Sequence, residues 1–163
     1  MTKEIDNIIK FAKMLNSESL SPLRSGNISI RGKKNAIEGF FITPSGKKYE
    51  TLKTDEIVFV TLDGEFDANH IPPSSEWRFH QDIYKNRNEA QAIVHAHSTH
   101  ATAVSTHRKD IPAFHYMVAL AGGDSIRCAG YATFGTRELS ENILKASSIS
   151  STRLTGLLSI VFG

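Results

Sequence analysis

The chain opens on an amphipathic pattern. Ile5, Ile8, Ile9, Ala12 and Leu15 recur at helical spacing with Lys and Asp between them, which predicts a helix over 4–15 lying on a sheet. Ser21-Pro22 breaks the pattern. Three short β-rich runs follow at 27–31, 39–43 and 57–61, each bounded by Gly, Pro or Asp63-Gly64. They predict strands joined by turns. Pro72-Pro73-Ser74-Ser75 predicts a rigid loop ending in capping residues. The helix expected over about 76–85 puts Trp77, His80 and Tyr84 on one stripe, with Phe79 and Ile83 beside it. Residues 92–97 begin apolar and then alternate, as a strand arriving at a site would. A short helix is expected over 99–106, loop and strand over 111–131, and a helix capped by Thr136 that runs to Ala146.

Strands interspersed with helices and tight turns predict an α/β fold, a central mixed and largely antiparallel sheet flanked by helices. With no repeat and no linker, one domain is expected across 1–163. The last stretch differs. Ser147-Ser148-Ile149-Ser150-Ser151 is serine-rich and 154–162 is apolar without a clear period. An apolar edge strand of that kind needs a partner to cover it.

Composition narrows the function. Hydrophobic residues are 40% and charged residues 22%, an ordinary globular balance that argues against disorder. The one cysteine, Cys128, cannot form an internal disulfide, which excludes a stapled secreted scaffold. A net charge of +2 without charge blocks argues against a nucleic-acid partner. No run approaches the roughly 20 apolar residues of a membrane span. Met1-Thr2-Lys3-Glu4-Ile5-Asp6 lacks the plan of a signal peptide, so a soluble, cytoplasmic protein is expected.

Six of the seven histidines lie between His80 and His115, and clustered imidazoles suggest metal or proton chemistry. In His95-Ala96-His97, residues i and i+2 of a strand share a face, so both rings can reach one ion. The spacing alone equally fits two paired surface histidines. Glu76, at a helix start, is expected to be ionised there and able to serve as base or ligand, or simply to help the helix begin. Ser25-Gly26-Asn27, Thr43-Pro44-Ser45-Gly46 and Ser74-Ser75 are small turns of a kind that can cradle phosphate. None is a nucleotide-binding loop.

Six stretches occur in one order: Ser25-Gly26-Asn27-Ile28-Ser29, Ile42-Thr43-Pro44-Ser45-Gly46, Pro73-Ser74-Ser75-Glu76-Trp77-Arg78-Phe79-His80, His95-Ala96-His97, Ile111-Pro112-Ala113-Phe114-His115-Tyr116 and Tyr131-Ala132-Thr133-Phe134-Gly135-Thr136. In this order the chain resembles the zinc-dependent class II aldolase/adducin family over about 4–146. The resemblance implies a three-layer fold and an aldolase that cleaves a sugar 1-phosphate of the fuculose or rhamnulose kind. Its products would be dihydroxyacetone phosphate and an aldehyde, by way of a metal-stabilised enediolate. A pentulose-5-phosphate 4-epimerase and a non-catalytic member are the alternatives.

By position, the resemblance makes His95, His97 and Glu76 ligands of Zn2+, and Glu76 also the group that shuttles a proton. It gives Gly26, Asn27, Ser45, Gly46, Ser74 and Ser75 to the substrate phosphate. Tyr116 matches a tyrosine that reaches a neighbouring subunit's site in the family's tetramer, which implies a homo-oligomer. The family's third zinc histidine follows the helix that ends here near Ala146, and this chain has no histidine after His115. The expectation is therefore a member incomplete after about residue 146, with a truncated or frameshifted tail and a weakened metal site.

Overall fold

The structure, a computed structural model, describes residues 2–21, 25–120, 124–148 and 160–161. The chain divides into two compact units, 1–98 and 99–163.

In the first unit, helix α1 (Thr2–Ser17) precedes three strands, β1 (Asn27–Lys34), β2 (Ile37–Ile42) and β3 (Val58–Thr61). Helix α2 (Trp77–Asn86) and strand β4 (Ala92–His95) complete it. The strands form one antiparallel sheet in the order β3-β2-β1-β4. Side chains alternate between the two faces of a strand, and neighbouring phenylalanines show the result. Phe41 joins Ile28, Tyr49, Leu52 and Ile57 in a cluster with Ile8, Ala12 and Leu15 of α1. Phe40 points the other way, its ring 5.2 Å from that of Tyr84 on α2. The sheet is thus sandwiched between α1 and α2. Each buried large side chain contributes about 1.5–3 kcal/mol.

The turn between β1 and β2 consists of Asn35 and Ala36, since Lys34 pairs with Ile37. Both have positive φ, 52° and 66°, the conformation of the two-residue hairpin turn whose twist matches the strands. Arg31 closes the far end of α2. Its Nε donates to the Ala90 carbonyl at 2.9 Å, and its Nη2 donates to those of Tyr84 at 2.6 Å and Arg87 at 3.1 Å. Such donors satisfy carbonyls that a helix end leaves open.

The second unit holds α3 (Thr99–Thr106), β5 (Ile111–Pro112), α4 (Tyr116–Leu120), β6 (Ser125–Cys128), α5 (Arg137–Ser148) and β7 (Ile160–Val161). Its sheet runs β5-β6-β7, with β5 antiparallel and β7 parallel to β6. Thr136 caps α5 as expected, its Oγ1 accepting from the Leu139 amide at 3.3 Å. Helix α4 lies in a segment read as loop and strand, because five residues are too few to display a helical period. Of the apolar tail, Ile160–Val161 form β7; the other expectations for 149–159 and 162–163 lie outside the described residues. No helix among the described residues is long and apolar enough to cross a membrane.

Two boundaries correct the sequence reading at the site. The strand expected over 92–97 ends at His95, so the shared-face argument does not apply to His97. Helix α2 begins at Trp77 with Glu76 as its N-cap. The buried stripe therefore starts at Glu76, while Trp77 packs edge-on against Phe66 at 5.9 Å.

Candidate active site

Strand β1 directs Asn27, Ser29 and Arg31, two residues apart, toward α2. The helix and its cap answer with Glu76, His80 and Tyr84, four residues apart. Two strand residues advance about 6.6 Å and four helical residues about 6.0 Å, so the two rows stay in step. Asn27 bonds to Glu76 through Nδ2 at 2.8 Å and to His80 through Oδ1. Ser29 Oγ lies 2.7 Å from His80 Nδ1 and 2.8 Å from Tyr84 Oη. All five of these side chains are buried, with Ser29, His80 and Tyr84 fully so.

Burial sets the charge states along this row. Desolvation pushes the His80 imidazole well below its ordinary value, with the nearby His95 adding to the effect, so the ring is neutral. Desolvation likewise raises the Tyr84 phenol. Glu76 runs against the trend. Burial opposes its charge, but the hydrogen bond and charge of His95 and a hydrogen bond from Asn27 hold its carboxyl below the usual value. A carboxylate in a largely dry pocket is stable only with such donors.

Glu76 Oε2 lies 3.2 Å from His95 Nε2, and that nitrogen lies 2.9 Å from His97 Nε2. The two rings meet edge to face, their centroids 4.6 Å apart, although His97 follows the end of β4. Desolvation and His95 lower the His97 pKa, with Glu76 opposing. If His95 donates its Nε2 proton to Glu76, that nitrogen has no lone pair left for His97. Glu76 Oε2 and His97 Nε2 then compete for that one proton. Two imidazoles and a carboxylate thus fit a divalent cation in donor type. Among the described residues no group of three or more His, Cys, Asp or Glu is arranged as a ready-made metal site; here the donors contact one another.

The three small turns are joined at Thr43, which is fully buried. Its amide donates to the Ile28 carbonyl at 3.0 Å, its Oγ1 accepts from the Ile28 amide at 3.2 Å, and its carbonyl accepts from the Ser74 amide at 3.0 Å. Pro44 and Pro73 face one another in an antiparallel bridge, flanked by that last bond and by Ser45 N–H donating to the Pro72 carbonyl at 3.0 Å. A directly opposed pair between flanking bonds needs no N–H of its own, which is why proline fits both positions. Ser45, Gly46 and Ser75 are exposed, while Ser74 is buried. Gly46 has φ +72°. Gly26 is required by close approach: a Cβ there would lie 2.2 Å from Ser21 Oγ and 2.5 Å from the His95 carbonyl oxygen.

The first unit therefore brings Glu76, His95, His97 and Asn27 together. Tyr116 opens α4 of the second unit and is 70% exposed. His100, His107 and His115 are exposed residues of that unit. Sequence reasoning missed the parts played by Ser29, His80, Tyr84 and Thr43. The signal for the first three was present, as alternation in Asn27-Ile28-Ser29 set against the four-residue spacing of 76, 80 and 84.

A family model described as the class II aldolase and adducin N-terminal domain matches residues 6–156. Over 122 residues the chain is 51% identical to L-fuculose phosphate aldolase of Escherichia coli strain K12, covering 75% of this chain and 54% of that protein. Over 139 residues it is 44% identical to 5-methylthioribulose-1-phosphate/5-deoxyribulose-1-phosphate aldolase of Rhodospirillum rubrum, covering 85% and 61%. A solved structure of L-fuculose 1-phosphate aldolase superposes with a TM-score of 0.83 at 35% identity, covering 99% of this chain and 73% of that one. The chain spans about half to three fifths of the length of these curated relatives.

Proposed function

The chain belongs to the class II aldolase and adducin family, and we propose that it acts in the retro-aldol cleavage of a ketose 1-phosphate to dihydroxyacetone phosphate and an aldehyde. The observation that carries this reading is the buried Glu76 carboxylate, held between the Asn27 amide and His95, with His97 adjoining. Its relatives by sequence are named for cleaving fuculose phosphate and for methylthioribulose and deoxyribulose 1-phosphates. A ketose 1-phosphate is the class common to them.

His95, His97 and Glu76 would hold Zn2+, which as a Lewis acid would polarise the substrate's oxygens. Glu76 takes the proton of the 4-hydroxyl as the C3–C4 bond breaks, and returns a proton to C3, where the electron pair of that bond is left. Asn27 keeps the carboxylate oriented. The second hydrogen of its Nδ2 remains available to the substrate phosphate. Gly26, Ser45, Gly46, Ser74 and Ser75 form the rest of the phosphate cradle, and Thr43 holds the three turns in one arrangement. Binding the phosphate there fixes the reacting carbons relative to Glu76. The exposed Tyr116 phenol serves the aldehyde oxygen at the site of a neighbouring copy in a homo-oligomer, a tetramer by family resemblance.

The test is incubation of the zinc-supplemented chain with L-fuculose 1-phosphate and with 5-deoxyribulose 1-phosphate. Release of dihydroxyacetone phosphate supports the reading. An inverted isomer without aldehyde release indicates epimerase chemistry, and failure with both substrates in a zinc-loaded protein overturns the proposal.

A further inference from the structure

We propose that His80 is a positioning residue: as the neutral Nε2–H tautomer it fixes which way round the Asn27 amide sits, and so presents an N–H rather than a carbonyl oxygen to Glu76. This rests on the reading of Glu76 as the group that moves the proton.

Each proton follows from the one before. An ionised carboxylate only accepts, so the Asn27 atom 2.8 Å from Glu76 Oε2 must be the amide nitrogen. The other end of the amide is then the oxygen, and the His80 Nε2 that contacts it must carry a hydrogen. A neutral ring protonated at Nε2 leaves Nδ1 as an acceptor, and Ser29 Oγ, 2.7 Å away, donates to it. Ser29 has then used its one hydrogen, so it accepts from Tyr84 Oη at 2.8 Å. Four hydrogen bonds run in one direction, from the phenol to the carboxylate. His80 is fully buried with both ring nitrogens engaged, so the ring cannot turn over without losing both partners.

The opposite tautomer would face the Asn27 oxygen with a lone pair. The amide would then turn and bring its oxygen against Glu76, replacing an attraction by a repulsion. Asn27 lies on the strand that pairs with β4, directly opposite His95. Its backbone is therefore fixed, and the amide's rotation is the remaining freedom. Seen this way, Ser29 and Tyr84 are more than core filling. They supply the hydrogen that His80 Nδ1 accepts.

Long-range proton–nitrogen correlation spectra of the labelled 163-residue chain read the His80 tautomer directly. A neutral ring protonated at Nε2 is expected; protonation at Nδ1 alone, or at both nitrogens near neutral pH, overturns the proposal whatever the activity. Kinetics supply the second arm. His80→Leu should lower kcat about 10- to 100-fold, the loss usual when an outer partner is removed, with KM for the ketose 1-phosphate nearly unchanged. His80→Gln should restore most of it, because its amide nitrogen can still donate to Asn27 Oδ1. Unchanged kcat in a folded His80→Leu protein, or no recovery in His80→Gln, refutes the positioning role. Should His80→Leu not fold, the tautomer spectrum and His80→Gln carry the test: a kcat for His80→Gln more than about 100-fold below the parent counts against the positioning role. An inactive wild-type chain whose His80 shows the expected tautomer sinks the catalytic reading of Glu76 and leaves the assigned hydrogen-bond order standing.

Discussion

His95 and His97 bring their Nε2 atoms to 2.9 Å of one another although only His95 belongs to a strand. Two lone-pair donors that close, with the Glu76 carboxylate on His95, are held together more naturally by a cation than by one shared proton. His95→Ala should abolish stoichiometric zinc in the purified protein while leaving its circular dichroism unchanged. Zinc retained at one equivalent in that variant would place the ion elsewhere.

Glu76→Gln tests the proton transfer. The amide keeps the shape and a polar contact to Asn27 but cannot take up a proton. Exchange of the carbon-bound hydrogen of dihydroxyacetone phosphate with solvent should disappear, while binding of that phosphate, followed by calorimetry, stays within a few-fold. Exchange at the wild-type rate would remove Glu76 from the mechanism.

Ser75 is exposed beside the buried Ser74, where its hydroxyl is free to meet an anion. Ser75→Ala should weaken binding of phosphorylated substrate by about 1.5–3 kcal/mol, the worth of a charge-assisted hydrogen bond, with no change toward an unphosphorylated sugar. Equal affinities for the two proteins would show that the cradle lies elsewhere.

Acid should destabilise the chain in two steps. His80 binds its proton near 6.5 when unfolded but only well below that value when folded. As pH falls below 6.5 the unfolded state takes up more protons, and stability is lost by up to about 1.4 kcal/mol per pH unit for this group. His97 acts in the same direction. Glu76, lowered from 4.5 in the fold, adds a further loss below that value. Urea unfolding at several pH values should therefore show a first limb that His80→Gln makes shallower. An identical limb in the variant would mean that His80 is protonated in the native state.

Ala36 offers a gain. A side chain at φ 66° carries a cost of about 1–2 kcal/mol that glycine escapes, part of which glycine loses again through its freer unfolded chain. Ala36→Gly should raise the urea midpoint, with a net gain of about 0.5–1 kcal/mol. A lower midpoint would show that the Cβ makes contacts worth more than the strain.

Much of the first unit was legible because its signals are local. The spacing of Ile8, Ala12 and Leu15, the run at β2 and the start near Glu76 each lie within one element. Strand alternation does not account for the pairing of His97 with His95, since β4 stops before it; the two rings meet through an irregular segment that no periodicity describes. Asn27 carried the phosphate role by resemblance, and the fold gives its side chain to Glu76 and His80. His80 was one histidine among six. Only the register between β1 and α2 sets it apart from His100, His107 and His115, and register between distant segments is a tertiary property. Helix α4 escaped because it is barely longer than one turn.

The bridge between Pro44 and Pro73 ties the two hydroxyl-bearing loops into one piece. Lengthening either loop alone would drag its neighbour, so an engineer wishing to reshape the proposed phosphate cradle should transplant 43–46 and 72–75 together. Single-loop libraries would mostly yield misaligned pockets, while paired grafts preserve the scaffold's geometry and vary only its chemistry.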